Sequence, residues 1–437
     1  MQEPVFEFED YKEGIILTRF LEGPGELDIP SYISGKRVVA IGPECFRENG
    51  IMLTVIRVPE TVRELQNDAF AYTVCLERLE LPKDLEIIGA DYLIASGLQE
   101  AFIPAGVDRI DRPELIDRSF KVSPDNKKYF TDGYGLYERD GDFVRLVAVN
   151  ASETKKRYEI YAGTREIALN ALRDAAAIEM LVIPESLTVI KEGTLSYNGG
   201  VVNENKGVKS VAVSPDNPVL QPVSDMLCRR EQDGTLRVLR YFGGEKAAVP
   251  ENTGVIGFES FKNTGIKELV IPDKSIQIKP GAFSGCLLER VLIGDTLVSF
   301  GDEDRFTREI FLEGFGKDGK IYDFTVLDDF LSDQYLTPGR IAMIAVRLKN
   351  PKDLSDEKKS GLRTKISDSL AEAIEMLSET RDVMTIESMG ELGFFTKDNI
   401  DGLIDLMSRT DKKELTAWFM SYKNVHFKDT SGFDLKL

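Results

Sequence analysis

Apolar residues recur at the first, fourth and sixth positions of a short segment that then stops at proline. Leu53-Thr-Val-Ile-Arg-Val-Pro59 is one copy, and Leu76 to Pro82, Leu98 to Pro104, Ile178 to Pro184 and Ile266 to Pro272 repeat it. The fourth and sixth positions alternate with the period of two that sends side chains of a strand to one face. Proline ends the strand because it has no N–H for the next ladder bond. A second apolar pair follows at a fixed offset (Val62 and Leu65, Leu85 and Ile88, Val107 and Ile110, Leu187 and Ile190). A small–large pair then closes the unit, as in Ala69-Phe70, Thr194-Leu195, Ser260-Phe261 and Ala282-Phe283. Unbroken copies step by 22 or 23 residues, from 59 to 82, 82 to 104 and 272 to 294. A unit this short cannot bury both of its flanks, so the period predicts about ten stacked coils rather than separate globular cores.

Two interruptions share a different pattern. Val122-Ser-Pro-Asp-Asn126 and Val213-Ser-Pro-Asp-Asn217 each lead into two alternating segments around Asp140-Gly141 or Asp233-Gly234. An Asp-Gly pair between alternating strands is a hairpin signal. Beyond about Gly301 the strand period gives way to apolar spacings of three and four, as in Leu370, Ile374 and Leu377 or Ile400, Leu403, Ile404 and Met407. Helices are predicted over 341–348, 366–377, 400–407 and 415–422, with start signals at Ser355 and at Thr396 to Asn399.

The unit L-x-x-L-x-I-P-x-x-V-x-x-I-x-x-x-A-F resembles the BspA-like leucine-rich repeat family of bacterial proteins, over about residues 20–300. The Asp-Asn hairpins are similar to insertions in that family. Arg347 to Leu354 and Glu414 to Asn424 resemble helical tails that follow such repeats. The fold expected is therefore a leucine-rich-repeat β-solenoid of short parallel strands with two β-hairpin insertions over 1–302, then an all-α module over 303–437. The resemblance implies a bacterial origin and, for many members, cell-surface attachment to host or neighbouring-cell proteins. It specifies scaffold rather than chemistry.

Charge narrows the partners. The net charge is −19, and the chain is acidic on both sides of residue 302, by 13 charges before it and 6 after. Nucleic acid and anionic membrane call for clustered Lys and Arg, so neither is expected as a partner. No apolar run is long enough to span a bilayer. The acidic opening Met1 to Asp10 lacks the pattern of a secretory signal, which favours the cytoplasm over the adhesin-like alternative. Cys45, Cys75, Cys228 and Cys286 form no CxxC and read as small buried repeat residues, Cys75 and Cys286 both in the turn ending a coil. His426 is the single histidine, which excludes di-His metal sites and reads as a surface residue. Gly35-Lys36, Gly316-Lys317 and Gly319-Lys320 lack the rest of a phosphate loop. Asp302 to Asp304 and Asp328-Asp329 lack calcium-loop spacing. No cofactor, metal or catalytic residue is predicted; a carboxylate-pair hydrolase is the alternative without a supporting motif.

Function then rests on the strand face that points away from the core. The position before the last buried strand residue reads Arg57, Glu80, Phe102, Lys121, Glu159, Val182, Ala212, Ala248, Val270 and Leu292. Polar residues dominate early, and the last five are apolar; Met180 joins them one pleat earlier. Exposed apolar patches mark contacts. Phe102, Met180, Val182, Ala212, Ala248, Val270 and Leu292 are therefore the expected contact surface. They are either covered by the chain's own helical module or used by a protein partner, and the function expected is a non-enzymatic interaction scaffold.

Overall fold

The computed structural model describes residues 4–150, 155–173, 175–196, 208–272, 276–279, 281–293, 296–299, 325–349, 351 and 354–427. The chain forms two compact units, Met1–Glu231 and Gln232–Leu437. Counted over both, the coils number about 11. The expected switch from coils to helices at 302/303 lies outside the described residues, as do Asp302 to Asp304 and the two glycine–lysine pairs at 316–320.

In the first unit each Leu-x-Ile-Pro segment contributes a short strand to a parallel sheet. Glu26–Asp28, Val55–Arg57 and Arg78–Glu80 pair in order, as do Glu100–Ile103 with Ser119–Val122, and Arg157–Glu159 with Met180–Ile183 and Ser210–Val213. The second apolar pair of each coil builds another parallel sheet, in which Lys36–Ile41, Glu64–Leu65, Ile87–Ile88 and Arg109–Ile110 follow one another. Ile56, Val62, Leu65, Leu85, Ile88 and Ile103 are fully buried between the two sheets. A large aliphatic side chain buried this way contributes roughly 1.5–3 kcal/mol.

A third ladder runs along the small–large corner. The amides of Asp68, Phe70 and Tyr72 donate to the carbonyls of Ala90, Tyr92 and Ile94 in the next coil, at 2.9–3.0 Å. Alternate donors can face one neighbour only because the chain turns through the left-handed region at both ends of the corner, Asp68 (φ 58°) and Tyr72 (φ 62°). Asp91 and Ala95 repeat this pair of dihedrals at φ 53° and 52°. The corner aromatics stack coil on coil, with Phe46 and Phe70 ring centroids 5.2 Å apart.

The N-terminus closes the open end of the second sheet. Val5–Tyr11 pairs antiparallel with Gly14–Glu22, which lies parallel to Lys36–Ile41. Glu7, Glu9 and Asp10 on this edge strand are exposed or nearly so, and charged side chains there oppose edge-to-edge pairing. The first insertion is the predicted hairpin: Gly135–Asp140 pairs antiparallel with Phe143–Val149 around Gly141 (φ 59°), and Tyr129–Thr131 adds a third strand. Tyr137 of the hairpin and Tyr158 of the next coil both donate to Asp132 Oδ2 at 3.0 Å, which ties the insertion down.

The second unit repeats the scheme. Lys246–Ala248, Glu268–Ile271 and Arg290–Ile293 are parallel neighbours, and Thr296–Ser299 adds antiparallel to the last. Leu236–Tyr241, Thr253–Ile256 and Gln277–Ile278 form its other sheet. Its corner uses the same dihedrals, Glu259 and Asn263 at φ 55° and 54°, then Gly281 and Gly285 at 66° and 72°. Seven described helices follow: α1 (Thr325–Asp333), α2 (Pro338–Lys349), α3 (Asp356–Asp368), α4 (Leu370–Glu379), α5 (Val383–Glu391), α6 (Ile400–Arg409) and α7 (Lys413–His426). Helix α2 packs against strand Thr296–Ser299. Ser355 caps α3, its hydroxyl accepting from Lys358 N at 3.2 Å. The single helix expected over 366–377 is two, because Ser369 leaves the helical region at φ −117°, ψ 30°. No described helix is long and apolar enough to cross a membrane.

Candidate interaction surface

Stacking by one period places equivalent residues side by side, so the outward face of the Leu-x-Ile-Pro sheet is a set of columns. The predicted column is in register within each of four separate ladders. Asp28, Arg57 and Glu80 are direct ladder partners, as are Phe102 and Lys121, then Glu159, Val182 and Ala212, and in the second unit Ala248, Val270 and Leu292. Alternation does the rest: Leu269 and Ile271 point into the core at 2% and 1% exposure, while Val270 between them is 39% exposed. Phe102 is 43% exposed. Ala248 is exposed, and Met180, Val182, Ala212 and Leu292 are half-buried.

The seven residues do not form one uniform stripe. Phe102 stands beside Lys121, whose ammonium pairs with Glu100 at 2.9 Å. Met180, Val182 and Ala212 adjoin one another within the first unit, with Arg157 Nη1 3.1 Å from Met180 Sδ. Ala248, Val270 and Leu292 form the unbroken apolar column of the second.

Stacking brings charges together too, and their signs alternate. Glu268 lies between Lys246 at 2.9 Å and Arg290 at 3.9 Å, and Lys267 between Glu245 at 2.9 Å and Glu289 at 3.8 Å. In the first unit Arg57 bridges Asp28 at 3.2 Å and Glu80 at 3.4 Å, and Glu179 bridges Lys156 and Lys209. The Lys246 ammonium holds the Glu268 carboxyl below its ordinary pKa, and Lys156 does the same for Glu179. Such pairs on exposed surface add little stability each. Their effect here is to prevent like charges from stacking every coil. The apolar column beside them has no such internal partner.

Elsewhere the chemistry is structural. Cys45, Cys228 and Cys286 are buried, but Cys75 is exposed, which corrects the expectation for it. The two turns differ in register: Cys286 occupies the place of Thr73 and Thr264, which donate to the phenylalanine carbonyl three residues before them, Phe70 O and Phe261 O, whereas the Cys286 thiol donates across to Phe261 O of the preceding coil at 2.9 Å. Cys75 instead sits where Leu287 does, on the outside of the turn. Burial pushes the Cys228 thiol up to about 12. His426 is exposed and stacks on Tyr422 at 4.2 Å between ring centroids. Among the described residues, no group of three or more His, Cys, Asp and Glu side chains could hold a metal ion. Asp328, of the Asp328-Asp329 pair, is buried in a bidentate pair with Arg347 at 2.7 and 2.8 Å.

Two-sheet coils with a corner of left-handed turns define a leucine-rich-repeat β-solenoid, here followed by helices. Over the matched residues its repeats are of the BspA type: the BspA type leucine rich repeat region matches in six copies, over residues 28–116 and 244–309. No curated relative matches this chain. Among solved structures, a leucine rich cell surface protein from Faecalibacterium prausnitzii is similar at 14% identity, over 74% of this chain and 99% of that one, with a TM-score of 0.37. The pneumococcal vaccine antigen PcpA is similar at 15% identity over 60% of each chain, with a TM-score of 0.37. A leucine-rich repeat protein from Eubacterium ventriosum is similar at 15% identity, over 63% of this chain and 90% of its own, with a TM-score of 0.36.

Proposed function

We propose that this protein is a non-enzymatic scaffold that binds a protein partner on the outward face of its Leu-x-Ile-Pro sheet. The observation that carries the reading is the Ala248–Val270–Leu292 column. Three stacked coils keep an apolar residue at a position where other coils place Arg57, Glu80 or Glu159. The neighbouring charges are already neutralised within the sheet, so an approaching surface desolvates few unpaired groups there.

A photo-crosslinking side chain at position 270, in the full-length chain expressed in its own cell, tests this. Crosslinks to a defined protein from position 270, absent from position 251 on the far side of the proline stop, are expected. Crosslinks that are absent, or equal at both positions, would overturn the reading. A partner from the same cell identifies an internal scaffold. One from a host or neighbouring cell identifies an adhesin-like role.

A further inference from the structure

The helical module carries a concave site of its own, separate from the strand face. A cleft of about 600 Å³ opens between the segment joining α1 to α2 and the α3–α4 bend. That volume falls within the range of about 300–1,000 Å³ typical of ligand pockets. Tyr335 and Pro338 line it from the α1–α2 segment, and Glu372, Met376 and Glu379 from α4. The two glutamates are seven residues apart, so they share one face of α4 and sit about 10 Å apart along its axis.

Charge decides what fits. Lys365 also lines the cleft, but its ammonium is committed to the last carbonyls of α1, donating to Leu331 O at 3.0 Å and Ser332 O at 2.8 Å. Glu372 and Glu379 are both exposed, and no ion pair holds either among the described residues. Tyr335 is 73% exposed, and the Arg340 guanidinium already lies 4.5 Å from its ring centroid, so the ring accepts a guanidinium on one face while much of its surface stays open. A guanidinium over an aromatic face gains cation–π energy, and its fork matches a carboxylate.

We propose that the cleft between the α1–α2 segment and α4 binds an extended basic peptide, placing two arginine side chains on Glu372 and Glu379 with the first of them against Tyr335. A polyproline II chain advances about 9 Å over three residues and brings the side chain back to the same face, so the fitting spacing is Arg-x-x-Arg.

The probe is a fluorescent Arg-Gly-Gly-Arg peptide titrated into the full-length chain at about 50 mM salt, where exposed charges are weakly screened. A Gln-Gly-Gly-Gln peptide serves as the comparison. Because a chain of charge −19 attracts any cation, the decisive contrast is between two variants of equal charge. Glu372→Gln/Glu379→Gln is expected to weaken the arginine peptide about tenfold. Glu387→Gln/Glu414→Gln, altered at exposed positions outside the cleft, is expected to leave it within about twofold. Equal weakening by both, no weakening by the first, or no binding up to about 1 mM peptide would overturn the proposal. Circular dichroism confirms that each variant is folded.

Discussion

Asn126 shows how one side chain fixes a junction. It is 4% exposed and uses its whole amide: Nδ2 donates to Pro104 O and Val107 O at 2.6 and 2.9 Å, and Oδ1 accepts from Lys128 N and Tyr129 N at 2.9 and 2.7 Å. Asn217 makes the same four bonds, to Pro184 O and Leu187 O and from Val219 N and Leu220 N. Only an amide offers two donors and an acceptor in this plane. Asn126→Ala should cost about 3 kcal/mol, since it strands buried carbonyls and an amide, and the shift in urea midpoint measures it. Asn126→Asp should cost at least as much, because a carboxylate would face two carbonyl oxygens. Asp68 and Asp91 argue the opposite way. They occupy equivalent corner positions, and both carboxyls lie above the ordinary value of 3.8. Burial is the first cause for each; for Asp68 the Asp91 and Glu44 charges add to it, whereas Arg112 and Arg173 pull Asp91 back. A carboxyl whose pKa rises on folding binds its proton more tightly in the folded state. Its stabilisation is present below the unfolded value and lost as pH rises through the folded one. Asp68→Asn should therefore stabilise by about 0.5 kcal/mol near pH 7 and by nothing near pH 3, Asn also tolerating φ 58°. Urea midpoints at the two pH values test this, and an equal gain at both would show that charge is not the cause.

At the scale of elements, the helices hold a repeat of their own. Helices α4 and α6 end alike: the amides of Asp382 and Lys412 donate to Leu377 O and Met407 O, both at 2.9 Å, and Arg381 and Asp411 lie at φ 57° and 55°. The offset is 30 residues, and α5 and α7 follow as the second helix of each pair. Helices α1 and α2 are joined instead by the buried Arg347–Asp328 pair. Arg347→Met should destabilise the helices by about 3–5 kcal/mol by leaving a carboxylate buried alone, and Arg347→Met/Asp328→Leu should restore most of that. Thermal melts followed by helical circular dichroism compare the two. The contrast between sheets and helices also explains what the chain revealed in advance. Coil register was legible because the same apolar letters recur, and period two allows only one assignment of inward and outward faces. Hence the Val270 column and the Asp140-Gly141 turn stand where pattern put them. The left-handed corner was hidden, since Glu44, Asp68, Asp91 and Glu259 fill most of a position where glycine would have announced it. The break at Ser369 interrupts an apolar spacing that continues through it, and the Glu372–Glu379 cleft depends on that bend, so no linear pattern could show it.

For the whole molecule, the question is how far one change is felt. Repeat coils touch mainly their neighbours, so stability is local and summed along the array rather than shared by one core. The division into Met1–Glu231 and Gln232–Leu437 gives that expectation a definite form. Trp418 is the single tryptophan and lies in α7, against Phe395 and Tyr422, so its fluorescence reports the second unit. Far-UV circular dichroism reports strands and helices of both. In a urea titration the two signals should not coincide, which is the ordinary sign that unfolding is not two-state. The variants assign the steps. Asn126→Ala, in the first unit, should lower the midpoint of part of the dichroism change and leave the Trp418 midpoint in place. Arg347→Met, in the second, should lower the Trp418 midpoint. If Asn126→Ala moved both signals together by the same amount, the array would be unfolding as one cooperative body, and nearest-neighbour stability would be the wrong description of this chain.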